Sequence, residues 1–113
     1  MKRYNQSEDE SLLIKAFGNS PKLRIIDFFL DNKLFDFSKK EIIEGAHLSR
    51  TTFFKVWDEI EKLGIVEVSR SFGKTKLYRL NKKSDIIEKL LAIESSLIES
   101  SANEVKIPVK IGT

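Results

Sequence analysis

Between Ser49 and Leu80 the hydrophobic period changes once, and that change restricts what this chain can fold into. Phe53, Val56, Trp57, Ile60 and Leu63 recur at steps of three and four, the spacing of one helical face. Gly64 ends the stripe. From Ile65 to Phe72 and from Thr75 to Leu80 apolar residues alternate at period two around Phe72-Gly73-Lys74, which predicts a β-hairpin. Helical spacing returns after Ser84, with Ile86, Leu90, Ile93 and Leu97 at steps of four, three and four, and with Ile87, Leu91 and Ile98 widening the stripe. The chain is therefore expected to be mainly α with a small β-hairpin.

Helix starts are written in the upstream half. Ser7-Glu8-Asp9-Glu10 has the form of a capping box before Leu12, Leu13, Ala16 and Phe17, and Gly18 is a natural stop. Ser20-Pro21 opens a second helix whose Leu23, Ile25, Ile26, Phe28, Phe29 and Leu30 cover most of its circumference, so it is expected between neighbours. Leu34-Phe35-Asp36-Phe37 alternates as a very short strand would. Ser38-Lys39-Lys40-Glu41 is another capping box, before a short helix with Ile42, Ile43 and Ala46 and with Gly45 near its end. His47-Leu48 makes a tight turn, and Ser49 caps the next helix. The expected organisation is an N-terminal helix over 1–18, a central unit over 19–83, a C-terminal helix over 84–102 and a tail over 103–113. A chain of 113 residues suffices for one core burying roughly two-thirds of its unfolded surface.

Composition removes several chemistries. With no Cys there are no disulfides, thiol nucleophiles or thiolate metal sites, and a single His cannot supply a histidine-based metal pair. Neither cofactor nor metal is expected. Apolar runs are short, none longer than the four residues Leu90 to Ile93, so no membrane span is expected, and no apolar signal core follows Met1-Lys2-Arg3. A cytoplasmic, nucleoid-associated protein is the resulting expectation. Gly73-Lys74-Thr75 imitates the end of a phosphate-binding loop, but the required earlier glycine falls on Val68. No nucleophile motif or acid–base pair accompanies His47, which reads as a surface turn residue, and no enzymatic role is expected.

The net charge of +3 is uninformative until it is partitioned. Residues 1–37 are neutral, 38–83 carry eleven basic and six acidic side chains, and 84–113 carry three basic and five acidic. Residues 70–83 hold Arg70, Lys74, Lys76, Arg79, Lys82 and Lys83 with no acid, a candidate polyanion-facing block.

Helix, short strand, helix, tight turn, helix and hairpin is the order of a winged helix-turn-helix. From Leu23 to Leu80 the chain resembles the winged helix-turn-helix DNA-binding domains of ArsR- and MarR-like repressors. Leu48-Ser49-Arg50-Thr51-Thr52-Phe53-Phe54-Lys55, then Trp57, Ile60, Leu63-Gly64-Ile65-Val66 and the basic hairpin ending in Tyr78-Arg79-Leu80 carry the likeness. The resemblance implies a sequence-specific, dimeric transcriptional regulator, most simply a repressor, with double-stranded DNA as its partner. It places the helix opened by Ser49 in a major groove ~12 Å wide. Arg50, Thr51, Thr52, Phe54 and Lys55 are then candidates for base contacts, with Arg50 suited to bidentate pairing with guanine. Phe54 has two readings, an apolar contact with thymine methyls or packing against the preceding helix or the wing. Trp57 sits on the buried stripe and reads as core. Asp58, Glu59 and Glu61 would repel phosphates, so only the first two turns are expected to approach DNA. Lys39, Lys40, Ser49, Arg70, Lys74, Thr75 and Lys76 are the candidate backbone and wing contacts. Arg79, Lys82 and Lys83 either join them or pair with the acidic C-terminal helix.

The C-terminal helix is too broadly apolar to stand alone in water, so it packs on its own domain or on a second copy. Leu12, Leu13, Phe17, Ile86, Leu90, Ile93 and Leu97 are the candidate homodimer contacts. A two-fold would set half-sites ~34–36 Å apart. No residue demands a small-molecule effector. Two other roles fit the pattern: a DNA-binding protein of plasmid or viral replication, partition or chromatin architecture, and a winged-helix protein–protein interaction module. Arg50, Lys55 and the basic hairpin argue against the latter.

Overall fold

A serine stands at the start of every helix in the computed structural model, which describes residues 11–106. The elements run α1 (Leu12–Phe17), α2 (Pro21–Asp31), α3 (Lys39–Gly45), α4 (Arg50–Lys62), β1 (Val66–Phe72), β2 (Thr75–Leu80) and α5 (Asp85–Lys106). The hydroxyls of Ser11, Ser20, Ser38, Ser49 and Ser84 accept from the backbone N–H groups of Ile14, Leu23, Glu41, Thr52 and Ile87 at 3.1–3.3 Å. Each such cap contributes about 1 kcal/mol. The Ser38 box closes in both directions, with Glu41 Oε1 accepting from the Ser38 N–H at 2.9 Å. The first cap is Ser11, whose backbone is extended, so α1 begins at Leu12; the expected Ser7 box lies outside the described residues.

One core joins α1 to α5. Ile25, Phe28, Phe29 and Leu30 bury most of the α2 circumference, as its sequence predicts. Phe28 meets Phe37 at 4.7 Å, Phe53 stacks on Trp57 at 5.0 Å, and Trp57 abuts Tyr78 at 5.0 Å, linking α2, α4 and the hairpin. Gly45 serves packing more than helix termination: a Cβ there would overlap the buried Phe28 ring. His47 makes the turn between α3 and α4 at φ 58°, a left-handed conformation unusual for a side chain. Its carbonyl accepts from Arg24 Nη2 of α2 at 2.7 Å. That bond ties the turn to the core and fixes where α4 starts.

The hairpin pairs Val66 with Leu80 and Phe72 with Thr75, closing on a two-residue turn. Only Gly73, the first turn residue, takes positive φ (59°), as the first central position of a type II′ turn requires. The register slips at Ser69, between Val68 and Arg70, as a β-bulge. The short strand expected at residues 34–37 reduces to one bridge, in which Phe37 and Tyr78 exchange both backbone bonds at 2.8 Å. The result is a mainly α fold with a two-stranded antiparallel wing between α4 and α5, a winged-helix topology.

Two expectations about the terminal helices change. Leu13, a candidate dimer contact, is only 1% exposed in a single chain and belongs to its own core, because α1 turns that side toward α2 and α5. Helix α5 continues to Lys106, so the first residues of the expected 103–113 tail are helical. Ile87 of α5 is fully buried, while Leu90, Leu91 and Leu97 are half-buried against the same core. Among the described residues no helix is long and apolar enough to cross a membrane.

Candidate nucleic-acid interface

Three chain segments meet at one basic face. The start of α3 supplies Lys39 and Lys40, the start of α4 supplies Arg50 and Lys55, and the wing tip supplies Lys74 and Lys76. Between α3 and the wing lies a cleft of about 590 Å³ lined by Ser38, Lys39, Lys40, Lys74, Thr75, Lys76 and Tyr78, with no acidic side chain in its wall. Lys39 ties the face together: its Nζ lies 5.7 Å from the Phe54 ring centroid of α4 and 5.9 Å from that of Tyr78 in β2.

Along α4 the outward and inward faces separate as the stripe predicts. Phe53, Trp57 and Ile60 are buried. Ser49, Arg50, Thr51 and Lys55 are exposed, and Thr52 is half-buried. Thr52 is also engaged locally, since its Oγ1 accepts from the Ser49 hydroxyl at 3.0 Å while its N–H caps on the same oxygen. Phe54 is neither core nor loose: it is 45% exposed, stands edge-on to Phe53 at 5.0 Å, and carries the Arg50 guanidinium 5.2 Å above its ring. The far end of α4 is turned to other use. Glu59 binds Lys22 of α2 at 2.6 Å, and that lysine holds the Glu59 carboxyl below its ordinary value.

The wing divides between tip and base. Lys74, Thr75 and Lys76 are exposed at the tip. Arg70, expected to face DNA, is already engaged: its Nε and Nη2 donate to Asp36 at 2.9 and 3.3 Å. The Ser69 hydroxyl donates to the same carboxylate at 2.5 Å. These two donors, the Arg70 bond first, hold the Asp36 carboxyl below its usual range. The bulge at Ser69 lets two consecutive residues reach one acceptor, so the wing is clasped to the loop before α3. Asp36 and Ser69 escaped the sequence reading, because residues more than thirty positions apart share no local pattern. Arg79 pairs across the hairpin with Glu67 at 2.8 Å rather than with the C-terminal helix.

Arg50, Lys55, Lys39, Lys40, Lys74 and Lys76 form no ion pair with any described residue, whereas Lys22, Arg70 and Arg79 each do. Of the candidate dimer contacts, Phe17 (63%), Ile86 (42%) and Ile93 (38%) leave apolar surface uncovered, and Leu12, Leu90 and Leu97 are half-buried. Comparison with protein-family models, with curated proteins and with solved structures finds no match to this chain.

Proposed function

We propose that the chain is a sequence-specific double-stranded DNA-binding protein, acting as a homodimeric transcriptional repressor of the ArsR- and MarR-like kind it resembles. The observation that carries this reading is the set of cations on three segments around one cleft with no acid in its wall, none of them ion-paired to a described residue. Helix α4 enters the major groove by its first two turns, where Arg50, Thr51, Phe54 and Lys55 meet base edges. Lys39, Lys40, Lys74 and Lys76 neutralise phosphates on either side, and Ser49 and Thr75 donate hydroxyl hydrogen bonds there. Arg70 acts here as a positioning residue for the wing, through Asp36. Phe17, Ile86 and Ile93 are apolar surface that a second copy would cover, setting two recognition helices one DNA turn apart.

Selection of bound sequences from random duplex DNA tests this. The expected product is a palindrome with half-sites about one helical turn, ~34–36 Å, apart. A pool with no enrichment after repeated rounds overturns the reading. Sedimentation of Ile93→Asp tests the dimer: the variant is expected as a monomer, and an unchanged dimer places the interface elsewhere.

A further inference from the structure

Arg50 and Phe54 stand one helical turn apart at the exposed start of α4, and they are already joined in the free protein. The Arg50 guanidinium lies 5.2 Å from the Phe54 centroid, and Lys39 approaches the same ring at 5.7 Å. The ring is anchored on its inner side, edge-on to the fully buried Phe53, so its position is set by the core. A phenyl group anchored in this way and left 45% exposed contributes little as packing. It orients a cation and presents an apolar edge.

A cation–π contact uses the charge of a guanidinium and none of its five N–H donors. Arg50 therefore keeps a full donor fork while losing rotamer freedom, which lowers the cost of placing it on guanine O6 and N7. The adjoining phenyl edge then faces the neighbouring base pair. In the major groove the apolar feature offered there is the pyrimidine 5-methyl group of thymine. Four helical residues span about 6 Å, which suits contacts to adjacent rather than distant base pairs.

We infer that Arg50 and Phe54 act as one reader of a guanine whose neighbouring base pair carries a 5-methylpyrimidine, with Lys39 holding Phe54 from its other contact. This rests on the DNA-binding reading and adds to it a defined chemical feature of the half-site. The unit recognises a methyl group, so 5-methylcytosine replaces thymine at that position while deoxyuridine does not.

The test uses a duplex selected by the wild-type protein, in which each thymine in turn is replaced by deoxyuridine, removing only the methyl. Wild-type protein is expected to lose about fourfold in affinity per half-site at one thymine beside a required guanine, the value of one buried methyl. Phe54→Ala is expected to bind the thymine and uracil duplexes equally and to show a weakened preference for the guanine, because Arg50 has lost its support. Uniform tolerance of deoxyuridine by wild-type protein, which depends on no variant folding, overturns the inference and leaves DNA binding standing. Discrimination retained by Phe54→Ala overturns it as well. Failure to bind any duplex overturns the DNA-binding reading and this inference together.

Discussion

The tip and the base of the wing carry similar basic residues and use them in opposite ways. At the base Arg70 is held by Asp36 and Arg79 by Glu67, so their charge stiffens the hairpin. At the tip Lys74 and Lys76 meet no acid among the described residues and border the cleft with Lys39 and Lys40. Helix α4 repeats the contrast: Arg50 and Lys55 at its start form no ion pair with a described residue, while Glu59 is tied to Lys22 toward its end. A count of basic residues would treat all of these alike. Only the unpaired ones can exchange counterions for phosphate contacts, and only the paired ones hold the frame that aims them.

Removing the tip charges is expected to have the largest effect. Lys74→Ala with Lys76→Ala is expected to weaken binding of every DNA sequence alike. It should also make the dependence of log K on log salt shallower by about 3.6 per dimer, four contacts at about 0.9 each. Anisotropy titrations at several salt concentrations measure this, and an unchanged slope would show that the tip does not meet phosphates. Arg50→Ala acts differently. It is expected to cost about 1–3 kcal/mol of discrimination at one base pair per half-site while leaving non-specific binding nearly intact. Competition with single-base operator variants reads it, and a loss equal on all sequences would move Arg50 to the phosphate class.

The base of the wing is tested by pH. The carboxyl of Asp36 titrates below its ordinary 3.8 in the folded chain, so its contribution is fully present above that value and fades as pH falls through the lower folded value. Amide exchange in β1 and β2, taken relative to the intrinsic rate at each pH, is expected to quicken as the medium is acidified below pH ~4. In Asp36→Asn it should be faster at neutral pH and lack that added acid sensitivity. The same acid response in both proteins would release Asp36 from this role. The smallest effect is expected at the turn that feeds α4. His47→Gly relieves a left-handed side-chain conformation and should raise stability by about 1 kcal/mol, read by thermal melting, with operator affinity unchanged. A change in affinity would give His47 a direct part in binding.

Much of the frame was legible because it is local. Ser20, Ser38, Ser49 and Ser84 announce their helices, the Phe53–Trp57–Ile60 stripe announces the buried face of α4, and Gly73 announces the hairpin turn. The candidate base-reading face followed from the same stripe. What escaped is non-local. The Asp36 clasp needs a bulge that only pairing reveals, and the exclusion of Leu13 from any dimer face depends on how α1 is tucked. Gly45 looks like a helix end in sequence, and only the nearness of Phe28 gives it a packing role. Packing of Phe54 against the preceding helix or the wing is met only by Lys39 of α3, since Phe53 and Arg50 lie on α4 itself, and nearly half of its surface stays open.

If the cations around the cleft meet a nucleic-acid backbone, binding must depend steeply on salt. A salt titration of the wild-type protein on its selected duplex measures that dependence. Six to ten phosphate contacts per dimer predict a fall in affinity of ~10³–10⁵ between 50 and 200 mM salt. An affinity that stays flat across that range, or no binding to any duplex at low salt, would contradict it.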